Sequence, residues 1–166
     1  MSFIKHHFMH DIIKENTNDD VDLDYQYEKW IEERKEAAKE AFPFGCNLCT
    51  GDVILVDSTI VYGSSYGNIY YCLRCGNYVG VHKETDKPLG LIADEQTRKA
   101  RIYAHEIFDN LFKSKLMTRH NSYKILQAIM DMSQDEAHIS RFDKEQCGEL
   151  INRLRRLKKV LNSITF

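Results

Sequence analysis

Only two prolines and eight glycines occur in 166 residues, which excludes a collagen-like repeat and a Pro/Gly-rich low-complexity chain. No stretch approaches the roughly 18 consecutive apolar residues of a membrane helix. The start, Met1-Ser2-Phe3-Ile4-Lys5-His6-His7, has no apolar signal-peptide core, so a cytoplasmic protein is expected. The phosphate loop G-x-x-x-x-G-K-S/T, the G-x-S-x-G elbow, the H-E-x-x-H helix and the Cys-His deaminase pattern are all missing. Binding rather than catalysis is therefore the expected mode of action, with no small-molecule substrate in view. No internal repeat marks a solenoid.

What is present is a soluble-globular composition: 43% hydrophobic, 29% charged and 11% aromatic residues in 19.5 kDa. That length suits one compact domain, or one plus a small appendage, better than two full domains. The net charge of −2 hides a gradient, with −5 over residues 1–42, −2 over 43–94 and +5 over 95–166. An acidic front and a basic back let a polyanion meet the C-terminal part while the N-terminal part repels it.

The five cysteines do not suit a disulfide framework, because the cytosol keeps thiols reduced and five leaves one over. Cys46-Asn47-Leu48-Cys49 and Cys72-Leu73-Arg74-Cys75 are two C-x-x-C pairs, 22 residues apart, with Cys147 alone downstream. Each short loop can aim two sulfurs at one ion, and four thiolates complete a tetrahedron, so structural Zn²⁺ on Cys46, Cys49, Cys72 and Cys75 is expected. Gly76 suits the turn after the second pair, whereas Thr50-Gly51 after the first looks one residue out of phase.

The expected organisation is α+β: an acidic N-terminal arm and helix over 1–43, a small antiparallel zinc ribbon over 44–92, and a helical region over 93–166 sharing a core with the ribbon. Val21 to Phe42 reads as a helix following an acidic cluster, with Tyr27, Trp30, Ile31, Arg34 and Ala38 near one stripe and Pro43 as its stop. Val53–Val56, Ile60–Tyr62, Ile69–Tyr71 and Asn77–Val81 read as short strands. Asp94 is a plausible cap for a helix carrying Ala100, Ala104, Phe108 and Leu111, and a second helix spans about Asn121 to Met132. Asp143 and Gln146 have capping-box spacing before a last helix with an apolar stripe from Cys147 to Ile164.

The run Cys72-Leu73-Arg74-Cys75-Gly76-Asn77-Tyr78-Val79-Gly80-Val81-His82, then Thr85, Lys87-Pro88-Leu89-Gly90, Ala104-His105, Phe108-Asp109, His138-Ile139, Phe142 and Cys147 resembles a family of zinc-finger-containing domains of unknown function met mainly in bacteriophages and bacteria. The resemblance covers roughly residues 44 to 151. Family members usually carry proline after the first cysteine and glycine after the second; Asn47 and Thr50 stand there in this chain. The resemblance implies a zinc ribbon joined to a helical region and brings no established activity. A phage-encoded member would work in the host cytoplasm.

Beyond the cysteines, Arg98, Arg101, Arg119 and Lys124 are candidate nucleic-acid contacts on basic helices, and Tyr62, Tyr66, Tyr70, Tyr71 and Tyr78 are candidate stacking partners for unpaired bases. The competing reading is that these cations solvate amphipathic helices while the tyrosines fill a thin sheet. A second cluster of His105, His138 and Cys147 is conceivable, although His and Cys on apolar stripes ordinarily serve packing. Glu106, Asp109, Asp135, Glu136 and Asp143 could hold a hard cation, but nothing in their spacing demands one. His82 could replace a thiolate or hydrogen-bond to one, Thr85 to Gly90 reads as a turn or a recognition loop, and His6, His7 and His10 lack a further ligand at a matching spacing. Two function classes follow: a zinc-ribbon protein acting on nucleic acid or a nucleic-acid-processing machine, or a phage-type interaction module that occupies a host or defence protein.

Overall fold

The computed structural model describes Ile4, Lys5, Phe8, residues 22–115 and residues 117–164, with side chains through Val160. His6, His7 and His10 lie outside the described residues. The chain divides into two units, Met1–Ile92 and Ala93–Phe166.

In the first unit, α1 (Leu23–Ala38) starts where the Asp22 carboxylate accepts hydrogen bonds from the backbone N–H groups of Asp24 and Tyr25, both at 3.1 Å. Such a cap satisfies donors that have no partner within the helix. Trp30, Ile31 and Ala38 form the buried stripe, and the Arg34 guanidinium lies 3.9 Å from the Trp30 ring centroid. The helix ends before the expected Phe42, with one further turn closed by Phe42 N–H on the Ala38 carbonyl at 3.0 Å.

Three strands, β1 (Val53–Asp57), β2 (Asn68–Cys72) and β3 (Tyr78–Gly80), form an antiparallel sheet in the order β1-β2-β3. Val53 faces Cys72 and Tyr70 faces Val79 across the ladder. Because side chains alternate along a strand, Ile54, Val56, Ile69 and Tyr78 join Trp30, Ile31 and Phe8 in one core. Val53, Tyr70, Cys72 and Val79 join Ala38, Phe42, Cys46 and Ile92 in another. A three-stranded sheet is stable only with such cover.

Ile60 to Tyr62, expected as a strand, is instead a single helical turn, α2 (Thr59–Tyr62). Local hydrogen bonds override its β-propensity. Asp57 Oδ1 accepts from Thr59 N–H at 2.8 Å, buried Ser58 Oγ accepts from Tyr66 N–H at 2.7 Å, and Gly63 closes the turn at φ +71°. The link between β1 and β2 is thereby a folded loop.

The second unit holds α3 (Glu95–Lys113), α4 (Arg119–Met130), a 3₁₀ turn (Ile139–Arg141) and α5 (Lys144–Ile164). Asp94 caps α3 by accepting from Thr97 N–H at 2.7 Å, and Thr118 caps α4 through Asn121 N–H at 3.2 Å. At α5, Gln146 N–H donates to Asp143 Oδ1 at 2.7 Å and Asp143 N–H to Gln146 Oε1 at 2.9 Å, a reciprocal capping box. Ala104, Phe108, Leu126, Met130, Ile139, Phe142, Cys147, Leu150 and Leu154 form the core of this unit. Among the described residues, no helix is long and apolar enough to cross a membrane.

Candidate metal centre

The loops before β1 and after β2 bring the four paired cysteines together, with all Sγ atoms within 4.8 Å of one another. Cys46 Sγ lies 3.8 Å from Cys75 Sγ, and Cys49 Sγ lies 3.4 Å from Cys72 Sγ. Four sulfurs at about 2.3 Å from one Zn²⁺ form a tetrahedron with edges of about 3.8 Å, so this donor set fits the ion. All four positions are filled by sulfur, which leaves none for a catalytic water; the zinc that this site binds is structural.

The two loops repeat one hydrogen-bond pattern. Cys46 N–H donates to the Gly51 carbonyl at 2.9 Å and Thr50 N–H to the Cys46 carbonyl at 2.8 Å. Cys72 N–H donates to the Asn77 carbonyl at 2.9 Å and Gly76 N–H to the Cys72 carbonyl at 3.0 Å. Thr50 therefore occupies the place that Gly76 holds in the second loop, and both residues are left-handed, at φ +57° and +70°. The first loop is in phase after all, with a β-branched residue at the position suited to glycine.

Gly51 answers to a different constraint, since a Cβ there would fall 2.5 Å from Arg74 Cβ and 3.2 and 3.3 Å from the thiols of Cys72 and Cys49. It lets the loops approach. Arg74 Nη1 donates to the Cys49 carbonyl at 2.8 Å, and Asn47 Nδ2 to the Ile92 carbonyl at 3.0 Å, so both intervening polar residues anchor their loops. Gly51, Arg74 and Asn47 escape sequence reasoning because their partners are distant along the chain; only the glycine leaves a signal, in its position beside the first pair.

Burial pushes the Cys72 thiol up to about 12 and raises that of Cys46. At Cys75 burial also acts upward, but hydrogen bonds from the Asn77 backbone and from neighbouring thiols outweigh it and bring the group down to about 7. Leu48 N–H on Cys46 Sγ at 3.4 Å and Asn77 Nδ2 on Cys75 Sγ at 3.4 Å favour the thiolates. A dication supplies the charge that allows all four to ionise together.

The remaining candidates stand elsewhere. His82 is exposed and its backbone closes a turn, donating to Lys87 O at 2.9 Å while its carbonyl accepts from Thr85 N–H at 3.0 Å. His105 is half-buried on α3, where burial lowers its pKa; His138 is exposed; Cys147 is fully buried on α5, its thiol raised by burial to about 11. These three form no metal-binding donor group: among the described residues, the four-cysteine cluster is the one group of three or more His, Cys, Asp or Glu ligands close enough for a metal. The five candidate carboxylates form none either. Asp109 pairs with Lys113 at 2.9 Å, Glu136 accepts from Ser133, and Asp143 caps α5.

Arg101 is half-buried and its Nε donates to the Phe142 carbonyl at 2.7 Å, while Arg98 Nη1 donates to the Ala93 carbonyl. Both side chains thus have structural partners within the helical unit. Arg119 is exposed beside the rings of Phe112 and Tyr123, at 5.6 and 5.9 Å, and Lys124 is exposed. Tyr62 and Tyr66 are 53% and 79% exposed, with rings edge to face at 5.6 Å. Tyr70 and Tyr78 are buried and Tyr71 half-buried, so these three fill the sheet.

Two C-x-x-C loops held against a three-stranded antiparallel sheet define a zinc-ribbon protein. The model of a zinc-finger-containing domain family matches residues 42–157, and the chain belongs to that family. No curated protein and no solved structure matches it.

Proposed function

We propose that this zinc-ribbon protein acts by binding, with its helical unit contacting nucleic acid or a nucleic-acid-processing machine. One observation carries the reading. Lys115, Arg119, Lys124, Arg155, Lys158 and Lys159 are exposed in that unit and form no ion pair among the described residues, while Lys99 and Lys113 of the same unit are paired with carboxylates. Unneutralised cations on a rigid helical scaffold suit phosphate, and each phosphate neutralised steepens the salt dependence by about 0.9 on duplex and about 0.7 on single strands.

The test is titration of zinc-loaded protein with single- and double-stranded oligonucleotides over graded salt. Lys124→Ala with Lys158→Ala should weaken binding and flatten the salt slope without lowering the melting temperature. Arg101→Ala should lower that temperature, because it leaves the Phe142 carbonyl without its donor. Absence of binding at low salt would remove the reading.

A second reading is favoured by α1, which exposes Glu28 and Glu33 with no ion pair among the described residues, beside Glu32 and Glu36, which pair with Lys35 and Lys39. This acidic face suits a protein partner with a basic site, such as a host or defence protein bound by a phage-type inhibitor. It predicts a protein complex that survives nuclease treatment and weakens with Glu28→Lys and Glu33→Lys. Both readings place the chain in a reducing cytoplasm.

A further inference from the structure

An open cleft of about 870 Å³ runs along α4 and α5, its apolar lining made by Ala128, Ile129, Leu157 and Val160. The α5 residues that line it fall into two rows four residues apart: Glu145, Glu149, Arg153 and Leu157 in one, Gly148, Asn152, Arg156 and Val160 in the other. Two such rows bound the kind of groove into which the corresponding ridge of another helix packs, at a crossing angle of about −50°. The face is unusual in two respects. Its charge reverses along the helix, with Glu145 and Glu149 in the first turns and Arg153 and Arg156 in the middle.

The second respect is Gly148. Glycine is the poorest helix former apart from proline, and nothing in its own chain requires it here, since a Cβ would meet no heavy atom within 4 Å. Val160 is 54% exposed at the far end of the same row. Glu145 and Arg156 form no ion pair among the described residues, while Glu149 is held by Arg153.

We infer that this cleft is the contact surface of a homodimer in which α5 of a second copy lies antiparallel across α5. A two-fold axis between Asn152 and Arg153 sets Glu149 against Arg156 of the second copy and Gly148 against its Leu157. Acid meets base, and the largest apolar side chain of the row meets the residue with none. A two-fold contact repeats each of these pairs. A polyanion suits the cleft less well, because Glu145 and Glu149 repel it; a copy of the same helix running the other way complements both ends. The inference is independent of nucleic-acid binding.

The test is sedimentation of the zinc-loaded full chain over a roughly hundredfold dilution series, since self-association is concentration-dependent. The expected result is a mass that rises with concentration toward twice the 19.5 kDa of the chain. Gly148→Gln should stay monomeric throughout and, at the dilute end of the series where the wild type is also monomeric, melt no lower than the wild type. Glu149→Arg and Arg156→Glu should each be monomeric alone, because like charges then face each other, and an equimolar mixture of the two should dimerise. A wild-type monomer at the highest concentration would overturn the inference. So would a dimer indifferent to Gly148→Gln, or single charge variants whose mixture stays monomeric. A cleft filled by another segment of the same chain would appear as a monomer that Gly148→Gln destabilises, which also overturns it.

Discussion

Replacing Thr50 by glycine should tighten zinc binding, although it deletes a side chain from the edge of the site. Thr50 sits at φ +57° where the second loop has Gly76 at φ +70°. A left-handed conformation costs an L-residue about 1–2 kcal/mol. Glycine relieves that cost but gives the unfolded chain more freedom, which offsets about 0.4–1 kcal/mol. The Thr50 hydroxyl donates to the Cys49 carbonyl at 2.6 Å, but the site is exposed and water replaces the bond. The balance favours Thr50→Gly by about 0.5–1 kcal/mol. Because folding of the loop and metal binding are one equilibrium, that is about a two- to fivefold gain in affinity. The assay is competition with a chromophoric chelator at fixed pH. The reverse change, Gly76→Thr, places a β-branched residue at φ +70° and should lose about tenfold. Weaker binding by Thr50→Gly, or an indifferent Gly76→Thr, would refute the equivalence of the two loops.

Gly51→Ala should lower zinc affinity by about tenfold or more in the same competition assay, since its Cβ would meet Arg74 Cβ at 2.5 Å and the two loops would have to separate. Asp94→Ala should destabilise the helical unit by about 1 kcal/mol, read as a lower melting temperature at neutral pH. The Thr97 N–H holds the Asp94 carboxyl below its ordinary value. A depressed folded pKa means that its contribution is complete above the unfolded value of about 3.9 and disappears as pH falls through the lower folded value. The difference between Asp94→Ala and wild type should therefore shrink only in acid, below about pH 4; a difference that shrinks near neutrality would contradict it.

The metal ligands are legible in the sequence because their chemistry is local: two C-x-x-C pairs specify four sulfurs without reference to the rest of the chain. The helix starts at Asp94 and Asp143 are legible for the same reason, since a cap depends on residues three positions apart. The failures are all non-local or are won by competing short-range bonds. Ile60-Val61-Tyr62 has strand composition, but the side chains of Asp57 and Ser58 hold its backbone in a turn. Thr50-Gly51 looks out of phase because one position answers to backbone handedness and the next to the approach of the other loop. The carbonyls of Ala93 and Phe142 that accept from Arg98 and Arg101 are likewise invisible in the residue pattern.

X-ray absorption at the zinc edge of the purified 166-residue chain tests the central claim most directly. One zinc per chain, surrounded by four sulfurs at about 2.3 Å, is the predicted result, with one sulfur lost in Cys72→Ser. A chain without zinc, or zinc held by nitrogen or oxygen in place of any of Cys46, Cys49, Cys72 and Cys75, would contradict it.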